Sequence, residues 1–261
     1  NILVGSRPFS DDDDKGLVAL NVMNILNEKY GITEGDFLSS ELSFVPCYKT
    51  RDIGFDRSLI GGYGHDDRCC AYPALMAALN TEMPDSTVIT YLTDKEETGS
   101  DGNTGMQSDF LRYFIYDLAK ADGEEGYHVL SKSQCLSADV NAAFDPTFSS
   151  AYEPKNASFL NEGVVISKYT GHGGKYDTSD ASAEYMGEIR TMLENNDIKW
   201  QIGELGKVDI GGGGTIAKYV ANMNVDVVDL GVAVLCMHAP FEIISKADIY
   251  MAYKAFYALF N

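Results

Sequence analysis

Basic charge is what this sequence has least of. Twenty lysines and arginines face 39 aspartates and glutamates, a formal net charge of −19. Such a field repels polyanions, so nucleic acid and anionic membrane surfaces are excluded as expected partners. Long apolar runs are missing as well: none approaches the roughly 20 residues that a bilayer-spanning helix needs. The opening residues show no signal-peptide pattern. The five cysteines (Cys47, Cys69, Cys70, Cys135 and Cys236) are odd in number and form no CxxC pair. Free thiols in a reducing compartment follow, and a cytoplasmic location is expected. Two familiar loops also fail. "GGGGT" at 211–215 lacks the Lys-Ser/Thr ending of a phosphate-binding P-loop and the spacing of a dinucleotide fingerprint. "DKEETG" carries Gly105 where a calcium-binding EF-hand loop requires glutamate.

What is present fits a globular protein. In 261 residues, 45% are hydrophobic and 11% aromatic, enough for one large domain or one domain plus part of another. Residues 16–30 repeat apolar side chains at helical spacing and stop at Gly31. The acidic run "DDDDK" at 11–15 matches a protease tag site, but it reads more simply as an acidic turn before that helix. "NILVGS" reads as a strand under way, so the chain is expected to open inside a domain. "ELSFVPCY" alternates like a strand. From residue 65 onward helical and strand patterns alternate: a helix over 65–83, a buried strand in "STVITYLT", a helix over 105–121, strands in "CLSADV" and "GVVISKYT", a helix in "ASAEYMGEIRTMLENN", a strand in "IKWQIGEL", a helix after the glycine loop, a strand over 225–239 and a closing helix. This order predicts an α/β layered fold with a mostly parallel central sheet. The glycine-rich, β-like texture of the first 60 residues puts a domain boundary near Gly61 and Gly62.

In such sheets the chemistry tends to lie beyond the carboxyl ends of the strands. Asp66, Asp67, Glu96, Glu97, Asp139 and His238 all stand at such places. Carboxylates with one imidazole are a donor set for zinc or a hard divalent cation. The adjacent glutamates make sense in that setting. A two-metal hydrolase needs one carboxylate as ligand and another, unligated, as base. Glu97 is the expected ligand and Glu96 the expected base. Singly, each residue has a plainer reading. Glu-Glu is usually a solvated turn, Asp66-Asp67 an N-cap pair, Asp139 a turn cap and His238 a satisfied core histidine. The whole set carries the expectation.

Five blocks, "GHDDRCCAYPALMAAL", "LTDKEETGS", "LSADVNAAFDP", "GGGGTI" and "LGVAVLCMHAPFE", together resemble the aspartyl aminopeptidase family of dinuclear zinc exopeptidases. The resemblance covers residues 60–261, and more weakly the first 60. It implies a three-layer α/β/α zinc exopeptidase fold over 61–261, with 1–60 as the last part of an inserted, β-rich dimerisation domain. It implies two zinc ions per subunit, with cobalt or manganese as alternatives. Asp66 would bridge them, Glu97 and His238 would hold one, Asp139 would hold the other, and Glu96 would be the general base. It also implies removal of N-terminal residues from peptides, often Asp or Glu, by dodecamers built from dimers.

Lys168, Gly213 and Gly214 are the expected substrate contacts. Lys168 would pair with an acidic substrate side chain, or else it is a solvent-exposed lysine. The family's further histidine ligand, in a His-x-Asp block, has no counterpart among His65, His128, His172 and His238; an upstream segment is expected to supply it. A glutamyl or deblocking aminopeptidase of broader specificity, or a non-catalytic assembly subunit, are the competing readings.

Overall fold

The computed structural model describes residues 3–12, 14–207 and 209–261. The first two residues of "NILVGS" and one aspartate of "DDDDK" lie outside the described residues. The chain divides into two compact units, Asn1–Val45 and Pro46–Asn261.

The smaller unit is helical where it is regular. Helix Leu17–Tyr30 ends at Gly31 in the left-handed region (φ 72°), whose N–H bonds to the Asn27 carbonyl, the usual glycine stop. Helix Glu34–Leu38 opens with a reciprocal capping box between Thr33 and Asp36. The expected strand over 41–48 does not form: the segment joins no ladder among the described residues and is mostly exposed.

In the larger unit the α/β class holds, with mixed sheets. A four-stranded sheet runs Gln134–Ser137, Asp226–Gly231, Val164–Ser167, Trp200–Ile202. Its outer pairs are parallel and its central pair antiparallel. A five-stranded sheet runs Arg51–Ile53, Leu59–Gly62, Glu242–Ser245, Ala233–Leu235, Asn141–Ala142, with only the last pair parallel. A small antiparallel sheet joins Tyr176–Asp180, Tyr169–His172 and Gly212–Gly213. Strand Leu59–Gly62 is paired with Glu242–Ser245. The boundary expected at residues 61–62 therefore falls inside a ladder, and the division observed lies upstream, at Val45 and Pro46.

The central strands are apolar on both faces. Val164–Ser167 is buried throughout, as a strand covered by helices should be. Helices His65–Asn80, Ala183–Asn195 and Lys246–Phe260 contribute Cys70, Ala77, Ile189, Leu193, Ala252 and Phe256 to a core shared with Ile166, Val228 and Leu230. Ser182 and Ser245 cap the second and third of these helices through backbone N–H groups.

Two expected strands differ from the structure. The segment 225–239 breaks at Val232 into Asp226–Gly231 and Ala233–Leu235, which belong to different sheets. "STVITYLT" makes no strand. It is not buried either, with Ile89 and Leu92 exposed; among the described residues no neighbouring segment pairs with it, and only Asp94 beyond it forms an isolated bridge to Gly105. A strand is defined by its ladder, which local pattern cannot supply.

Candidate active site

Loops leaving the strands and one helix start converge on a cavity of about 280 Å³. Asp66, Glu96, Glu97, Asp139, His238, Gly213 and Gly214 all line it. Residues 66 and 67 sit in the first turn of His65–Asn80 with non-helical backbone, and both offer carboxyl atoms near Asp139. Glu96 and Glu97 lie on a 3₁₀ turn, Glu96–Thr98, and not on the end of a strand. Lys95 (φ 65°) and Gly99 (φ 93°) bracket this turn in the left-handed region, and the Gly99 N–H closes it on the Glu96 carbonyl at 3.0 Å. Successive residues on a 3₁₀ turn point about 120° apart, so one glutamate can reach a metal while its neighbour faces the cavity. Asp139 follows strand Gln134–Ser137. It lies against Gly231, where a Cβ would collide with the Asp139 carbonyl oxygen. Only glycine admits that approach. His238 sits in the turn after Ala233–Leu235 with φ 63°, an uncommon conformation for a side chain of this kind.

The distances define two groups that share a member. His238 Nε2 stands 3.0 Å from Asp66 Oδ2 and 2.8 Å from Glu97 Oε1. These three residues offer donor atoms within 4.8 Å of one another, and so do Asp66, Asp67 and Asp139. Asp66 belongs to both groups. Its carboxyl is 9% exposed, whereas His238 and Glu97 are about 60% exposed.

Electrostatics explains why such a set needs a cation. Two carboxylates 4 Å apart repel by about 4 kcal/mol at an effective dielectric constant of 20. Here burial, reinforced by Glu97, raises the Asp66 carboxyl to about 6. Burial, with Cys70 adding to it, pushes Asp67 up to about 12. Burial and then the charge of Glu96 hold Asp139 well above the carboxylate range. Glu96 is raised by burial and by Glu97. No lysine or arginine lines the cavity among the described residues. One buried oxygen of Asp67 has no hydrogen-bond partner, a costly state unless something positive faces it. Carboxylate oxygens with one imidazole nitrogen suit zinc, and the oxygen-rich set also suits manganese or cobalt. The residues present therefore fit divalent cations. The imidazole lies in one group only; the other is all carboxylate among the described residues.

Lys168 is the one expected site residue that the structure keeps elsewhere. Its ammonium is ion-paired with Asp180 and does not line the cavity. Asp67, singled out in the sequence without a ligand role, has its carboxyl within the second donor group. Two contributors escaped sequence reading. Asp229, 5% exposed, lines the cavity and accepts a hydrogen bond from Thr215 Oγ1 at 2.9 Å. Glu242, 2% exposed, accepts main-chain hydrogen bonds from His65, Asp66 and His238. The available signal for Glu242 was a lone acid opening the apolar strand "EIIS", where an unpaired charge would be too costly to keep.

A mixed α/β scaffold thus gathers carboxylates and an imidazole at strand and helix ends, the donor set of a divalent-metal protein. The chain belongs to the aminopeptidase I zinc metalloprotease family (M18), whose sequence model it matches over residues 3–260. It is 49% identical over 265 residues to a probable M18 family aminopeptidase 1 of Clostridium acetobutylicum, covering 100% of this chain and 57% of the relative. The crystal structure of aminopeptidase I from that organism superimposes with a TM-score of 0.89 over the same shares of the two chains. The M18 aminopeptidase structure from Thermotoga maritima gives a TM-score of 0.90 at 45% identity, covering 98% of this chain and 58% of that one. At 20% identity, the yeast mApe1 dodecamer shares the fold with a TM-score of 0.71, over 94% of this chain and 56% of that one. The chain thus spans somewhat more than half the length of the relatives it matches.

Proposed function

We propose that this chain carries the catalytic face of a metal-dependent aminopeptidase that removes N-terminal residues from peptides. The observation that carries this reading is the membership of Asp66 in both donor groups, as a residue set between two cations would require. Asp66 would serve both cations, Glu97 and His238 would hold one, and Asp139, with Asp67 beside it, would hold the other. The histidine that would complete the second group is assigned to a preceding segment of the full-length protein. Bound zinc would supply Lewis acidity toward the scissile carbonyl and toward water.

The chain's own residues do the rest. Glu96 lines the cavity without a place in either donor group, so its carboxylate is left to take a proton from the attacking water. It then returns that proton to the leaving amine. Its raised pKa brings it closer to neutrality, which helps a group that must both accept and release a proton. Gly213 and Gly214 present backbone along one wall, where an extended peptide can approach closely.

The lining favours broad specificity over a preference for Asp or Glu. No cationic side chain among the described residues faces the cavity, and Lys168 is engaged by Asp180.

Of the insert expected over residues 1–60, the smaller unit up to Val45 is proposed as the last part of a dimer-forming domain, and the assembly as a dodecamer built from dimers. In support, helix Leu17–Tyr30 buries none of its residues and exposes about half of Leu20 and Ile25, apolar surface that a partner would cover. The five free cysteines suit a reducing cytoplasm, and among the described residues no helix is long and apolar enough to cross a membrane.

The deciding experiment is Glu96→Gln in the full-length protein. We expect kcat to fall by about 10²–10⁴-fold with metal content unchanged. Retention of kcat would remove Glu96 as the base.

A further inference from the structure

We propose that Glu242 is a positioning residue that holds Asp66 and His238 at the spacing a shared cation needs. The inference rests on the metal reading of the site given above. Glu242 neither lines the cavity nor offers an atom to either donor group. It opens strand Glu242–Ser245 opposite Gly62 and is 2% exposed. One oxygen, Oε2, accepts the main-chain N–H of His65 at 2.6 Å and that of Asp66 at 3.2 Å. The other, Oε1, accepts the main-chain N–H of His238 at 2.8 Å. A single buried carboxylate therefore ties together two backbones 172 residues apart, each carrying a proposed ligand.

Asp66 leaves the helical path at the helix start (φ −75°, ψ 115°), and His238 is left-handed (φ 63°), a conformation that local sequence does not favour. Such a left-handed residue persists when its surroundings over-determine it, and the hydrogen bond from the His238 N–H to Glu242 contributes to that here. The ladder alone would place Glu242 beside Gly62; it is the carboxylate that reaches the His238 turn. The consequence is the 3.0 Å approach of His238 Nε2 to Asp66 Oδ2. An amide cannot substitute, because its NH₂ would face a main-chain N–H, donor against donor. Aspartate keeps both acceptors but is one methylene shorter.

The test compares Glu242→Gln and Glu242→Asp with Asp248→Asn in the full-length protein. Asp248 is another buried acid near the same strand. It accepts the main-chain N–H groups of Asn161 and Gly163 and takes no part in the site, so its variant reports simple destabilisation. Hydrogen exchange of the His65, Asp66 and His238 amides is measured in the metal-free proteins, and binding of Co(II) is followed through its visible absorption.

Glu242→Gln is expected to lose protection at those three amides, to bind Co(II) about 10–100-fold more weakly with an altered spectrum, and to lose kcat more than KM. Glu242→Asp should recover part of each. Asp248→Asn should lower Tm while leaving Co(II) affinity and spectrum as in wild type. Wild-type protection and Co(II) binding in Glu242→Gln, or equal loss of binding in Asp248→Asn, would overturn the proposal. A wild-type protein that itself binds no Co(II) overturns the underlying metal reading, and is recognised by that silence.

Discussion

Asp229 offers a test of the site's electrostatics that does not depend on which residues hold a cation. It lies on Asp226–Gly231, 5% exposed, with Thr215 as its hydrogen-bond donor. Burial pushes its carboxyl up from 3.8 to about 6. Between those two values the folded state binds more protons than the unfolded state. Stability is therefore lost as pH rises through that window, and the loss is complete above about pH 6. A change of this size costs the folded protein about 3 kcal/mol at pH 8 and about half of that at pH 5.

Asp229→Asn removes the charge and keeps an acceptor for Thr215. It should therefore raise Tm at pH 8, by about 6–12 °C if 1 kcal/mol moves Tm by about 2–4 °C in a domain of this size. The gain should shrink to about half at pH 5. The sequence pI of about 4.4 makes lower pH unsuitable, because a protein without net charge tends to associate. Scanning calorimetry of chelator-treated wild type and variant at both values is the assay. An equal Tm change at pH 5 and pH 8, or a variant less stable than wild type at pH 8, would refute the argument that burial, and not structural need, sets this group's charge.

His238→Ala or Glu97→Gln should remove about one zinc per chain by elemental analysis and leave the other; two zincs retained would exclude these residues as ligands. Lys168→Met should change kcat/KM on neutral and acidic aminoacyl-anilides by less than about fivefold, since an exposed ion pair contributes at most about 1 kcal/mol; selective loss of acidic substrates would restore Lys168 to the pocket. Gly231→Ala should cost about 4 kcal/mol or more through the collision with Asp139, seen as insoluble protein or a collapsed denaturation midpoint. A soluble variant with wild-type stability would contradict the close approach.

Much of the scaffold was legible because local rules govern it. The periodicity of 16–30 and Gly31 marked a helix observed at Leu17–Tyr30, and the closing helix was likewise visible, observed at Lys246–Phe260. Asp66, Glu96, Glu97, Asp139 and His238 stood out as polar residues at the ends of apolar patterns, and all five line one cavity. "STVITYLT" misled because an apolar run records the wish to be buried, while strand formation needs a partner ladder. The boundary near residue 61 was drawn from glycine-rich texture, which marks turns, whereas Leu59–Gly62 is held by a strand roughly 180 residues away in sequence, a pairing no local signal reveals.

By itself, the sequence determined the chemical inventory: an acid-rich surface, an α/β alternation and the donor types for a divalent cation. Tertiary structure alone decided that Asp66 belongs to two donor groups, that Lys168 spends its charge on Asp180, and that Glu242 spans two distant turns. The physical reason is range. Periodicity and capping act over a few residues, whereas hydrogen bonds and ion pairs act over a few ångströms between segments that only the folded chain brings together.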